Sequence, residues 1–260
     1  MITTDKAYKA LTRSELQNLN FKLPGDDRSE LWLGVKHYYI ANTVVNRMRF
    51  NGYTITNEEW YTSPDHNQLL GTVTVFPNLE KTLPYPGIEY QMAIRNSTDC
   101  RYAIRFSVGA RVISRGNGLY VGDCRTKRKH TTYLMLNQTI DNAILDFESL
   151  IIKIPSFIDK LRAIPLTNEQ ATTIMFEAHR RTAIAFCYLR DVFEEWIQPV
   201  CPEFYDNNAW SLYNAFTHGF KQLSVMQQYE YFPRLKELFD DIIRRNGCIT
   251  SPRLVPTLLQ

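Results

Sequence analysis

The chain's five cysteines (Cys100, Cys124, Cys187, Cys201 and Cys248) include no C-x-x-C pair, and their number is odd. A disulfide framework or a structural zinc site is therefore not expected, and reduced thiols in a cytosolic compartment are. The sequence also lacks H-E-x-x-H, G-x-S-x-G, a G-K-[ST] loop and an Asp-x-Asp pair. Those absences remove the familiar zinc-protease, serine-hydrolase and P-loop signatures. No apolar run approaches the ~20 residues that a membrane helix needs. The N-terminus, Met1-Ile2-Thr3-Thr4-Asp5-Lys6, does not show the charged-then-apolar order of a signal peptide. Long single-sign charge runs, internal repeats and low-complexity segments are missing as well. The expectation is a cytoplasmic protein with no membrane partner, cofactor or metal, and with nothing in the chain that argues for catalysis.

What is present is a core-forming composition: 44% hydrophobic residues over 260 positions, with 15 Tyr and 14 Phe. Charge is unevenly placed. Residues 95–130 hold nine cations (Arg95, Arg101, Arg105, Arg111, Arg115, Arg125, Lys127, Arg128 and Lys129) against Asp99 and Asp123, a net +7. The whole chain sums to +3, so the remainder is −4. A local excess of this kind points to a polyanionic partner, most simply nucleic acid, with DNA preferred to RNA.

Residues 1–34 are weakly patterned and read as an arm. The spacing predicts a helix over 35–50, ended by Asn51-Gly52, then strands over 53–60 and 69–76 around the turn at 63–67. The proline-rich stretch 77–87 is a loop. Ile88, Tyr90, Met92 and Ile94, and then Tyr102, Ile104, Phe106 and Val108, occupy even positions, which puts each set on one face of a strand. Pairing the two with their apolar faces together, across a three-residue connection at 97–99, sets Ile94 opposite Tyr102 and Arg95 opposite Arg101. Arg105 shares that odd parity, and Arg111 and Arg115 keep it unless Gly109 forms a bulge.

The remainder reads as helical. Ile140, Ile144, Phe147, Ile151, Ile154, Ile158 and Leu161 make an a/d seam suited to an internal helix bundle or a homo-oligomer, and Pro155 should kink or split it. Thr167-x-x-Gln170 is a capping box opening a helix to about position 198. Further helices are predicted over 208–228 and, from Pro233 as a first-turn proline, to 245. The fold class expected is α+β: a small antiparallel sheet of four or five strands between an N-terminal helix and a C-terminal helical half. Residues 35–247 would form one domain (sheet-rich 52–134, helical 137–247), with a tail over 248–260. The helices should cover the even face and leave the arginine face open.

Three motifs resemble a phage- and plasmid-borne family known only as a domain of unknown function, number nine-three-two. They are Asn96-Ser97-Thr98-Asp99 at a hairpin turn, Arg111-Val112-Ile113 leading to Gly116-Asn117-Gly118-Leu119, and the late helix Trp210-Ser211-Leu212-Tyr213-Asn214-Ala215-Phe216-Thr217-His218. The family commonly carries a cysteine just before its Asn-Gly-Leu, where this chain has Ser114-Arg115-Gly116. The resemblance implies a mobile-element setting and a host-cell cytoplasm. It supplies no catalytic residues.

The candidate binding residues are Arg95, Arg101, Arg105, Arg111 and Arg115 on the sheet, with Lys127, Arg128 and Lys129 as a loop-borne extension. Phosphate contact by these cations, with Tyr102, Tyr120 or Tyr133 for stacking, defines the first reading, a non-enzymatic nucleic-acid-binding protein. The second is a module that docks on a host defence or nucleic-acid-processing protein, and the third an enzyme with an undescribed site. Residues 115–118 suit a hairpin turn better than a phosphate cradle. Asn214 with His218 suits a helix–sheet contact better than a metal pair. Cys124 with His130 is a weak nucleophile pair, and Glu177, His179, Arg180 and Arg181 read as a solvated face.

Overall fold

A computed structural model describes residues 8–19, 35–77, 85–99, 101–114, 116–128, 135–223 and 225–247; for 117, 121, 123, 125–128, 225, 226 and 247 it describes the backbone alone. The chain divides into two compact units, one of residues 1–155 with 221–229, the other of 156–220 with 230–260.

The first unit is built on six strands in simple meander order: β1 (Lys9–Leu11), β2 (Tyr53–Thr62), β3 (Gln68–Pro77), β4 (Ile88–Ser97), β5 (Ile104–Val112) and β6 (Asn117–Arg128). All neighbours are antiparallel. The sheet thus has one or two more strands than expected. One comes from the N-terminal arm, where β1 pairs with β2 and is followed by α1 (Arg13–Gln17). Thr12 and Glu15 form a reciprocal capping box there, and Leu16 is buried. Thr12-x-x-Glu15 is a legible start signal that the weak apolar pattern of the arm obscured.

Even-numbered residues of β4 and β5 are buried throughout: Ile88, Tyr90, Met92 and Ile94 on one strand, Ile104, Phe106, Val108, Ala110 and Val112 on the other. Two helices cover this face. Helix α2 (His37–Phe50) lies against β2 and β3, and α3 (Leu136–Ile151) against β5 and β6. The Tyr53 and Phe147 rings meet edge to face at 5.5 Å, and the Cys124 thiol donates to the Ala143 carbonyl at 3.5 Å. Trp60 stands directly opposite Gly71, and a methyl group at that glycine would collide with its indole.

The opposite face is not left bare, contrary to expectation. Leu70, Thr74 and Ser107 on it are buried. Tyr229, in the first turns of α8 (Val225–Gly247), donates to the Ile94 carbonyl at 3.2 Å. β3 is consequently buried on both faces over much of its length, with Leu69, Val73 and Val75 on one face and Leu70 and Thr74 on the other.

The seam residues Ile140 to Leu161 are all buried, and the helix splits near Pro155 into α3, which belongs to the first unit, and α4 (Lys153–Arg162), most of which belongs to the second. The second unit is helical. Helix α5 (Asn168–Arg180) has the expected Thr167–Gln170 box but stops eighteen residues short of 198. Thr182 takes a positive φ of 56°, a conformation that ends a helix, and α6 (Leu189–Ile197) starts afresh after the 3-10 turn Phe186–Tyr188. Helix α7 (Ala209–Gly219) begins at Asn208, whose side chain accepts from the Ser211 N–H at 3.0 Å. Pro233 sits inside α8 rather than at its start. Lacking an N–H, it leaves the Tyr229 carbonyl without its helical donor. Among the described residues no helix is long and apolar enough to cross a membrane.

Candidate anion-binding site

β4 and β5 pair with Ile94 opposite Phe106 and Arg95 opposite Arg105. Parity is as expected, but the register differs by four residues. The connection is not the three residues 97–99: β4 runs through Ser97 and β5 starts at Ile104. The cause is local hydrogen bonding. The Ser97 hydroxyl donates to the Asp99 carboxylate at 2.5 Å and accepts from the N–H groups of Arg101 (3.1 Å) and Tyr102 (3.3 Å). Asp99 accepts from the Arg101 N–H as well, at 3.2 Å. This side-chain-capped loop is an alternative to ladder pairing for short polar residues.

The loop lifts Arg101 out of the sheet. Its exposed guanidinium pairs with Asp99 at 3.2 Å. It also places Tyr102 beneath Arg95, whose guanidinium carbon lies 4.4 Å from the ring centroid. Arg95 and Arg105 are therefore the adjacent pair, each half-buried. Burial and then the neighbouring Arg105 pull the Arg95 guanidinium below its ordinary pKa, while Tyr102, Tyr229 and Tyr8 act the other way. Among the described residues no carboxylate acts on it. The Arg95 Nε is enclosed and, like the Thr72 Oγ1, has no hydrogen-bond partner among the described residues. Thr72 is one diagonal step from Arg95 across the β3–β4 ladder, on the same face. Burial raises the Tyr229 phenol, and the two arginines oppose that shift. On the other side Gln68 joins Tyr8 to the loop, accepting from the Tyr8 hydroxyl at 2.6 Å and donating to Asp99 at 3.4 Å.

The remaining expected cations do not gather here. Arg111 keeps the odd parity, because the β4–β5 ladder runs regularly through Gly109, but it lies opposite Glu89. It is six residues from Arg105, about 20 Å along the strand. Its guanidinium lies beside Gly116, 3.4 Å from where a Cβ would stand. Gly109 does disturb the other ladder, to β6, where a Cβ would come within 2.6 Å of the Leu119 carbonyl oxygen. Lys127 stands opposite Arg105, and Arg128 opposite Ile104, so both belong to a strand rather than a loop. Arg115 and Lys129 lie outside the described residues, as do His130 and Tyr133. The β5–β6 turn takes its positive φ from Gly116, at 65°, while Asn117 and Gly118 already pair with Val112 and Arg111.

Behind the loop lies a second polar group that the sequence did not announce. The buried Asn96 amide donates to the Val35 carbonyl (3.1 Å) and to His37 Nδ1 (2.8 Å), and His37 Nε2 faces the His66 carbonyl at 3.0 Å. The Thr98 N–H donates to the Asn67 carbonyl at 2.8 Å. Asn96-Ser97-Thr98-Asp99 thus ties the β2–β3 turn, α2 and the β4–β5 loop together. Tyr8, Gln68, His37 and Tyr229 carry no sequence signal, since each is recruited by tertiary register.

The other candidates have structural roles. Asn214 donates to the Trp210 carbonyl one turn back at 2.9 Å, and His218 lies 3.8 Å from Glu195 of α6. Glu177 binds Arg180 and Arg181, each at 2.7 Å, and Arg181 reaches Asp241 of α8 at 2.6 Å. That is a network between helices, not a solvated face. Burial pushes the Cys124 thiol up to about 12, which removes the thiolate a nucleophile needs. Among the described residues no group of three or more His, Cys, Asp or Glu is placed to hold a metal ion. Comparison with protein-family models, with curated proteins and with solved structures finds no match to this chain.

Proposed function

We propose that this protein binds nucleic acid through phosphate contacts at the β4–β5 end of its sheet, with Arg95 and Arg105 as the principal cations and exposed Arg101 beside them. The observation that carries the reading is the direct opposition of Arg95 and Arg105, half out of water, with tyrosines rather than a carboxylate among the groups acting on Arg95. Like charges opposite each other on a sheet destabilise it, by roughly 0.2–1 kcal/mol. A phosphate is the group that turns this repulsion into binding. A mobile-element origin belongs to the same proposal.

The test measures single- and double-stranded oligonucleotide binding by fluorescence anisotropy at two salt concentrations, for the full chain and for Arg95→Gln and Arg105→Gln. Affinity should fall with salt and drop at least tenfold in either variant. The melting temperature of each variant should stay close to the parent's, so that lost binding reflects the missing cation and not a lost fold. A variant that binds like the parent would refute the reading.

A second reading, a docking module for a host protein, is favoured by a different surface. Phe193, Ile197 and Val200 follow at four and three residues along α6 and just beyond it, and all are exposed. Capture of the same partner after nuclease treatment, lost on Ile197→Asp, would support it.

A further inference from the structure

Helix α6, within the second unit, has two unlike apolar faces. Leu189, Val192 and Trp196 are buried, while Phe186, Phe193, Ile197 and Val200 are 43–67% exposed. The 3-10 turn Phe186–Tyr188 runs directly into α6, so spacings of seven, four and three residues set these side chains in one row. From Phe186 to Ile197 the row is roughly 17 Å long. Its first ring packs edge to face against His179 of α5, with centroids 5.6 Å apart. Exposed apolar side chains scattered singly need no explanation, but a row of them on one face does. A straight row at this spacing matches another helix, whose anchors recur at i, i+3, i+4 and i+7.

Charge selects the occupant. Residues 189–206 hold Asp191, Glu194, Glu195, Glu203 and Asp206 against one cation, Arg190, a net −4. Of the five carboxylates, those of Glu194, Glu203 and Asp206 belong to exposed residues. Arg190 is itself paired with Glu194, at 2.7 Å. The row ends at the C-terminus of α6, where the helix dipole adds negative potential. A second copy of the chain would set −4 against −4, and like charges across an interface oppose docking. An anionic membrane surface is repelled for the same reason. A segment with cationic flanks is attracted.

We propose that the row from Phe186 to Val200 docks a cationic amphipathic helix of a partner protein, with the partner's apolar stripe along the row and its Lys or Arg residues over the acidic flanks. This rests on the docking reading above and adds the chemistry of the partner.

The experiment titrates four dye-labelled helical peptides against the full chain by fluorescence anisotropy at physiological salt. Three share one leucine stripe and are flanked by Lys, by Gln or by Glu. The fourth is the Lys peptide with its leucines scattered around the helix. The Lys-flanked stripe should bind about tenfold tighter than the Gln-flanked one, with the Glu-flanked one weaker still, and scattering the leucines should cost about tenfold. Ile197→Asp should also cost about tenfold, although it adds a negative charge, because it removes an anchor. Undiminished binding of the scattered peptide, or of the Lys-flanked stripe to Ile197→Asp, would reduce the attraction to bulk charge and overturn the proposal. Equal binding of all three stripes would overturn the cationic partner and leave the docking reading standing. Binding by none of the peptides would overturn the helical partner, and the nuclease-treated capture then decides the docking reading separately. Dimerisation of the chain in sedimentation velocity, abolished by Ile197→Asp, would assign the row to a second copy instead. Uptake onto phosphatidylserine vesicles, abolished by the same variant, would assign it to lipid.

Discussion

Arg95 shows how one side chain's surroundings carry more information than its charge. It is half-buried, beside a second guanidinium and over a tyrosine ring. Cys124 teaches the converse at the same scale. Adjacent to a basic stretch, it could pass in sequence for an activated thiol, yet it is buried against α3, and burial followed by the nearby Asp146 raises its pKa to about 12. At pH 8 about one part in ten thousand of such a thiol is ionised, and only the thiolate reacts. Cys187 is exposed. Brief treatment of the native protein with iodoacetamide, followed by peptide mass mapping, should therefore modify Cys187 and spare Cys124 until denaturant is added. Modification of both at similar rates would contradict the burial assigned to Cys124.

Elements were legible where periodicity and local chemistry agree. The α2 stripe, the strand alternation at 88–94, the split seam near Pro155 and the Thr167–Gln170 box all follow from spacing. The β4–β5 register was only half legible. Parity fixes which residues share a face, but several loop lengths satisfy it equally, and the choice is made by Ser97 and Asp99 capping the loop. The long helix expected after Thr167 failed for a similar reason, because the chain turns at Thr182 through contacts made in three dimensions. The Ala183 N–H returns to the Ala178 carbonyl at 2.8 Å, and Arg181 swings to Asp241. That ion network predicts a pH response. Hydrogen bonding to Arg180, with a further contribution from Arg181, lowers Glu177 to about 2, and Asp241 is lowered mainly by Arg181. A carboxylate whose folded pKa is depressed contributes stability above its unfolded value, near 4.5 for Glu177. That contribution is lost as pH falls through the folded value. Thermal melts of wild type should weaken between about pH 4.5 and 2. Glu177→Gln should be less stable than wild type at pH 7, and the gap should narrow toward pH 2. A gap that does not change with pH would assign Glu177 a packing role instead.

At the scale of the whole molecule, a net +7 over residues 95–130 inside a chain of +3 suggests a broad electrostatic footprint. The described geometry gathers only part of it: positions 95, 105 and 127 lie in register across β4, β5 and β6, while Arg101 pairs with Asp99 and Arg111 stands opposite Glu89. Counterion release makes this difference measurable, because the slope of log K against log salt is about −0.7 for each phosphate neutralised on a single strand. Two or three contacts at the β4–β5 end give a slope of about −1.4 to −2.1, whereas the eight candidate binding cations acting together would give roughly −5.6. Anisotropy titrations with a hydroxyl-ended single strand from 50 to 300 mM salt should return the shallow value, and Arg105→Gln should reduce it by about 0.7. A slope near the steeper value, unaffected by Arg105→Gln, would move the binding surface away from Arg95 and Arg105 and toward the cations of the 125–129 run.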